Sequence, residues 1–197
     1  MVSILINGDE SGISGEGLPK FADLVELIKS TIDPDHMITS ILVNGKELAD
    51  DDWMAPMSRF DNTSIVEIET GMPSTFVAER MGTAADIISN CYMQFRECRK
   101  LFQAGNMQAA NEKLSAAVYT LKAFFDWYAS MMALISQEEQ QKYGITTEIG
   151  NIAEICKKIV EQQMYQSWWT LGETLKTSLE PELDRLEDRC REFTSAQ

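Results

Sequence analysis

The apolar residues follow two rhythms. Up to Gly71 they alternate in short runs broken by Gly, Asn and Asp, the period of strands with one buried face. Beyond Pro73 they recur every three or four residues over long spans, the period of amphipathic helices. The change predicts a linker at Gly71-Met72-Pro73-Ser74 and two domains, residues 1–72 and 74–197.

In the first domain Val2, Ile4 and Ile6 mark a strand closed by Asn7-Gly8. The run GDESGISGEG holds a turn and a weak second strand. LPKFADLVELIKSTI then places Phe21, Leu24, Val25, Ile28 and Ile32 on one face of a helix. MITSILV is strand-like by its β-branched content, and Asn44-Gly45 is a strong hairpin signal because both turn residues must take positive φ. Lys46 to Leu48 form a short return strand. After DDWMAPMSRFDNT comes SIVEIE, with Val66 and Ile68 on one side and Glu67 and Glu69 on the other.

This order, carried most specifically by ILVNGKELADDD and FDNTSIVEIE, resembles the β-grasp fold of ubiquitin and the small sulfur carriers over residues 1–72. The resemblance implies that Ile41, Val43, Val66 and Ile68 point into the core. It also implies that Leu42 and Ile65 lie on the outer sheet face that such domains commonly use to bind partners, with Glu67 where that face is usually apolar. A conjugated modifier needs a free Gly-Gly carboxyl terminus. Here Gly71 is followed by a long helical segment and the sequence reads Ser195-Ala196-Gln197 at its end, so adenylation is not the expected chemistry.

In the second domain Val77, Met81, Ala84, Ile88, Cys91, Phe95, Cys98 and Phe102 form the seam of one long helix. Ala104-Gly105 stops it and Asn106 is placed to cap the next, whose stripe runs from Met107 through Leu114, Leu121 and Phe124 to Ile135. SQEEQQKYG reads as a polar crossing. Thr146 or Thr147 can cap a third helix with Ile149, Ile152, Cys156 and Ile159 on its stripe. A fourth begins at about Ser167, carrying Trp168, Leu171, Leu175, Leu179, Leu183, Leu186, Cys190 and Phe193. Pro181 inside it predicts a kink near residues 177–180 or two shorter helices. The expected fold class is α+β: a β-grasp (ubiquitin-like) domain followed by an antiparallel four-helix bundle. LFQAGNMQAANEKLSAAV loosely resembles a tetratricopeptide hairpin and the bundles of secretion and flagellar chaperones, but no second copy at a 34-residue period is visible.

Charge narrows the partners. The chain has 31 acidic and 17 basic side chains, net −14. Residues 1–72 carry 14 acidic and 4 basic groups, net −10, and the rest carry 17 and 13, net −4. Such a surface repels phosphate backbones, so nucleic acid is not an expected partner. No apolar run approaches the roughly 20 residues of a membrane span, and Asp9 and Glu10 stand where a signal peptide would be basic. The expectation is a cytoplasmic protein with no membrane insertion, whose four scattered cysteines are reduced.

Candidate chemistry is sparse. Asp50, Asp51 and Asp52 lack the alternating oxygens and the glycine of a calcium loop and read as a solvated acidic turn, one carboxylate capping a helical turn after it. The only histidine is His36, so imidazole metal sites and His-assisted nucleophiles have no second partner. Cys91 and Cys98, a heptad apart, suit packing. Glu138-Glu139 has Lys142 where the all-helical pyrophosphohydrolases carry a third glutamate. GDESGISGEG lacks the spacing of a phosphate loop. No catalytic residue, metal ligand or cofactor is therefore assigned.

What remains is binding surface. Phe124, Phe125, Trp127 and Tyr128 point to different faces, as do Trp168 and Trp169, so some must reach the surface; with Met131-Met132 and a total of 11 methionines they either fill the core and the contact with the first domain or form an adaptable groove for a partner helix. The expected function is a non-enzymatic interaction or adaptor protein, with an assembly or secretion-chaperone role as a variant. It would use Leu42, Ile65, Trp127, Met131, Trp168 and Trp169 toward another protein or a second copy. The alternative is a divalent-metal enzyme with Glu180, Glu182 and Asp184 near the kink.

Overall fold

The computed structural model describes residues 2–60 and 63–195. Asp61 and Asn62, within the turn that carried part of the resemblance, lie outside the described residues, as do Met1, Ala196 and Gln197. The chain divides into two compact units, one up to Phe76 and one from Val77.

The first unit is a five-stranded mixed sheet with a helix on one face. Its strands are β1 (Ser3–Ile6), β2 (Asp9–Glu10), β3 (Met37–Val43), β4 (Lys46–Glu47) and β5 (Ile65–Gly71), in the order β2-β1-β5-β3-β4. β1 and β5 are parallel at the centre and every other pair is antiparallel. Helix α1 (Phe21–Lys29) buries Phe21, Leu24, Val25 and Ile28 against Ile4, Val66 and Ile68, with Ile41 and Val43 packed alongside. This architecture is compatible with a β-grasp-like fold.

Both hairpin turns are Asn-Gly pairs with positive φ, Asn7 and Gly8 in one and Asn44 and Gly45 in the other. Each asparagine also holds one end of β5. The Asn44 carboxamide oxygen accepts from the Ile65 amide (2.9 Å), and that of Asn7 accepts from the Thr70 amide (2.8 Å). The central strand is thus fixed in register at both ends, which sets where Glu67 stands.

Asp50, Asp51 and Asp52 open a single helical turn, α2 (Asp50–Trp53). The expected carboxylate cap is not made: the residue before the turn is Ala49 and no side chain caps it. The aspartates instead sit within the first turn, where the helix dipole favours negative charge, and Asp52 pairs with Arg59 at 2.6 Å.

The chain passes into the second unit within α3 (Pro73–Met81), which is separated from β5 by Met72 alone. The long helix expected from Val77 is broken at Gly82-Thr83, and α4 (Ala84–Gln103) continues from there. Thr83 keeps near-helical dihedrals, so Val77, Met81, Ala84 and Ile88 all stay buried and the apolar period runs through the break unaltered. Ala104-Gly105 turns the chain, and the Asn106 side chain caps α5 (Met107–Met132) by accepting from the Ala109 amide.

The supposed polar crossing contains a further short helix, α6 (Gln137–Gln140). Its start is a capping box: the Glu139 carboxylate accepts from the Ser136 amide at 3.1 Å, and the Ser136 hydroxyl accepts from the Glu139 amide. Helix α7 (Thr146–Met164) begins directly after Ile145 with no side-chain cap, so neither Thr146 nor Thr147 plays the expected role.

After α8 (Trp168–Thr174) the backbone widens into a π turn over Leu175–Leu179 and re-enters α-helix as α9 (Glu180–Ser195). The spacing explains the widening. Leu171, Leu175, Leu179 and Leu183 succeed one another at strict intervals of four, and all are buried. In an α-helix each such step rotates the stripe by about 40°, so a locally wider turn is needed to keep all four on the same side. Of the two outcomes expected around Pro181, the chain takes shorter helices, joined by a π turn that ends two residues before the proline.

Candidate functional site

The outer face of the sheet is read directly from the strand register. Leu5 pairs with Glu10 on one side and Glu67 on the other; Leu42 pairs with Glu67 and Glu47. Across the five strands the side chains run Glu10, Leu5, Glu67, Leu42, Glu47, acid and apolar in alternation. Leu5 and Leu42 are half-buried and take no part in the core beneath the sheet. Ile65 is 42% exposed, two residues before Glu67 on β5 and beside Ser3. Sequence reasoning found Leu42, Ile65 and Glu67 here. It missed Leu5, although the alternation of Val2, Ile4 and Ile6 already placed Leu5 on the opposite side.

The unit's ion pairs among the described residues are Lys29–Glu26 and Arg59–Asp52, so Glu10, Glu47 and Glu67 have no cation beside them. Lys46, a strand residue next to Glu47, pairs with Val43, which packs against the core, and therefore alternates to the other face.

In the helical unit the predicted binding residues differ in setting. Trp168 is half-buried and stacked on the buried Phe102, centroids 5.7 Å apart and planes 14° apart. Trp169, its neighbour, is 79% exposed. Trp127 is half-buried against Phe124 at 5.7 Å, and Met131 is half-buried. The difference predicts that Trp168→Ala costs about 2 kcal/mol of stability in chemical denaturation, through lost stacking and partial burial. Trp169→Ala should stay within about 0.5 kcal/mol of the parent.

A groove that sequence reasoning missed runs between α5 and α7, where Leu114 and Ile159 form the floor and Val118, Tyr119, Cys156 and Val160 the walls. Gln163 near the end of α7 donates to Asn111 near the start of α5 at 2.8 Å, which ties the two sides of the groove together. Leu114 and Val118 on α5, like Cys156 and Val160 on α7, are four residues apart and share a face, a signal that helical periodicity carries and aromatic content does not.

The carboxylates near the π turn do not converge. Glu180 is buried and accepts from Arg99 Nε at 2.6 Å, whereas Glu182 accepts from Arg185 and from Asn151 on another side of the helix. The Asp184 carboxyl is raised by desolvation first and then by Glu187, Asp188 and Glu180. Among the described residues no group of three His, Cys, Asp or Glu is arranged to hold a metal ion. The cysteines are free thiols. Burial pushes Cys91 up to about 11 and Cys98 and Cys190 up to about 12, so thiolate is scarce at neutral pH. Among the described residues no helix is long and apolar enough to cross a membrane.

Compared with protein-family models, with curated proteins and with solved structures, the chain matches none.

Proposed function

We propose that the chain is a non-enzymatic protein-interaction module, a ubiquitin-like domain joined to a four-helix bundle. It binds another protein through the outer face of its sheet. The observation that supports this reading is the row centred on Glu67 with Ile65 beside it: two half-buried leucines and a 42% exposed isoleucine on a face outside the core, set in register by asparagine clamps at both ends of β5. An apolar trio held this firmly and left open to water is better explained by a partner than by folding. Trp169, Trp127 and Met131 extend the same reading to the helical unit, as a second contact for an adaptor. An assembly or chaperone role differs from it only in the client.

Affinity capture from lysate with the full chain, identified by mass spectrometry and paired with light scattering for self-association, tests the reading. Leu42→Asp should abolish capture of the specific partner while circular dichroism shows the chain still folded, because Leu42 lies outside the core. Retention of every captured protein by this variant would remove the sheet face from consideration. The alternative, a carboxylate-based metal enzyme, predicts instead a rise in melting temperature with one divalent ion from a panel.

A further inference from the structure

The alternating row also has a spacing, and the spacing selects an occupant. Neighbouring strands lie about 4.8 Å apart, so Glu10, Glu67 and Glu47, each separated by two strands, stand about 10 Å from one another. Leu5 and Leu42 fall about halfway between. An α-helix advances about 10.5 Å in seven residues and about 5 Å in three or four. A helix laid across the strands therefore meets a carboxylate once per heptad and a leucine between each pair. An extended segment does not fit: its same-side residues recur about every 6.6 Å, out of step with both intervals.

The charge fixes the other half of the match. The three carboxylates have no cation beside them among the described residues, in a segment whose net charge is −10. Their separation is near the screening length at moderate salt, so they repel one another only weakly and each is open to a cation brought in by a partner, most strongly at low salt. We infer that the outer face of this sheet docks a basic amphipathic helix of a partner protein, lying across the strands, with Lys or Arg at i, i+7 and i+14 toward Glu10, Glu67 and Glu47. Its apolar residues at i+3/i+4 and i+10/i+11 cover Leu5 and Leu42, and a flanking apolar residue reaches Ile65. This inference rests on the sheet face being the binding surface, and it adds the secondary structure, charge and period of the partner segment.

The test uses the full chain and a synthetic helical peptide with Lys at i, i+7 and i+14 and Leu at the four intervening positions. A second peptide has the same composition in scrambled order. Fluorescence anisotropy should show binding of the first peptide alone, weakening steadily with salt. Glu67→Lys, and independently Glu47→Lys on the edge strand, should each weaken it at least tenfold, whereas Glu26→Lys on the exposed side of α1 should change it less than twofold. Circular dichroism confirms folding of each variant. Equal binding of the scrambled peptide, equal loss with Glu26→Lys, or no binding of the ordered peptide overturns the inference. In that last case, if a cellular partner is still lost with Leu42→Asp, the face remains the docking surface and only the basic helix is wrong. If Leu42→Asp loses nothing either, the proposed function falls with it.

Discussion

Arg99→Ala is expected to destabilise the helical unit by about 3–5 kcal/mol, a large share of the stability of a domain this size. Arg99 on α4 and Glu180 at the start of α9 are both nearly buried, their side chains 13% and 10% accessible, and they meet at 2.6 Å. Arg99 also donates to Gln103 at 3.3 Å. Truncating the arginine leaves a carboxylate in a site that water reaches poorly, next to the π turn, with no other cation paired to it among the described residues. The loss is therefore the cost of an unpaired buried charge, not the worth of the pair. That distinction can be measured. The double variant Arg99→Ala with Glu180→Leu, which removes both charges and leaves the arginine stem equally absent, should recover much of the deficit in urea unfolding. If the double variant is as unstable as the single one, packing of the guanidinium stem rather than charge holds α4 to α9.

How legible was this molecule in its sequence? Alternation along Val2–Ile6 and Ser64–Glu69, together with two Asn-Gly pairs, was enough to place the strands and to sort Val66 and Ile68 from Glu67. The parallel pairing of β1 with β5 was not readable locally, because nothing in either strand names its neighbour. Yet that pairing is what brings Leu5 beside Glu67 and turns two separate residues into a row. In the helical unit the buried stripe was legible and its interruptions only in part. Gly82-Thr83 breaks a helix without disturbing the period, whereas Pro181 marked the place of the second interruption and four leucines at intervals of four marked its form as a π turn. The short helix α6 did carry a signal, Ser136 followed by Glu139, the spacing of a capping box inside a stretch whose polarity suggests only a loop. The functional residues divide the same way. Trp168 and Trp169 are equivalent as letters, and only the stack on Phe102 separates a structural tryptophan from an exposed one.

Alkaline titration should destabilise the helical unit progressively once the pH passes the ordinary range of a cysteine thiol. Cys91, Cys98 and Cys190 are almost wholly inaccessible, and burial raises each from 9.0, to about 11 for Cys91 and about 12 for the other two. Cys98 also donates to the Ala110 carbonyl at 3.3 Å, a bond that its thiolate could not make. The sign is set by proton counting. Well below pH 9 both folded and unfolded thiols are protonated and contribute no pH dependence. Between about pH 9 and pH 11–12 the unfolded chain releases protons that the folded chain retains, so stability falls as pH rises. A tenfold difference in proton affinity between the folded and unfolded chain is worth about 1.4 kcal/mol, so three thiols together remove several kcal/mol, on the order of a small domain's whole stability. Tyr128 and Tyr143, raised by the same desolvation, push in the same direction at higher pH. A triple variant, Cys91→Ala with Cys98→Ala and Cys190→Ala, separates the two sources. It should start less stable at neutral pH, because small cavities form, but lose stability more slowly from about pH 9 to 11. Identical alkaline slopes for parent and triple variant would mean that the thiols do not govern the transition and that the phenols, or repulsion within an already acidic chain, do.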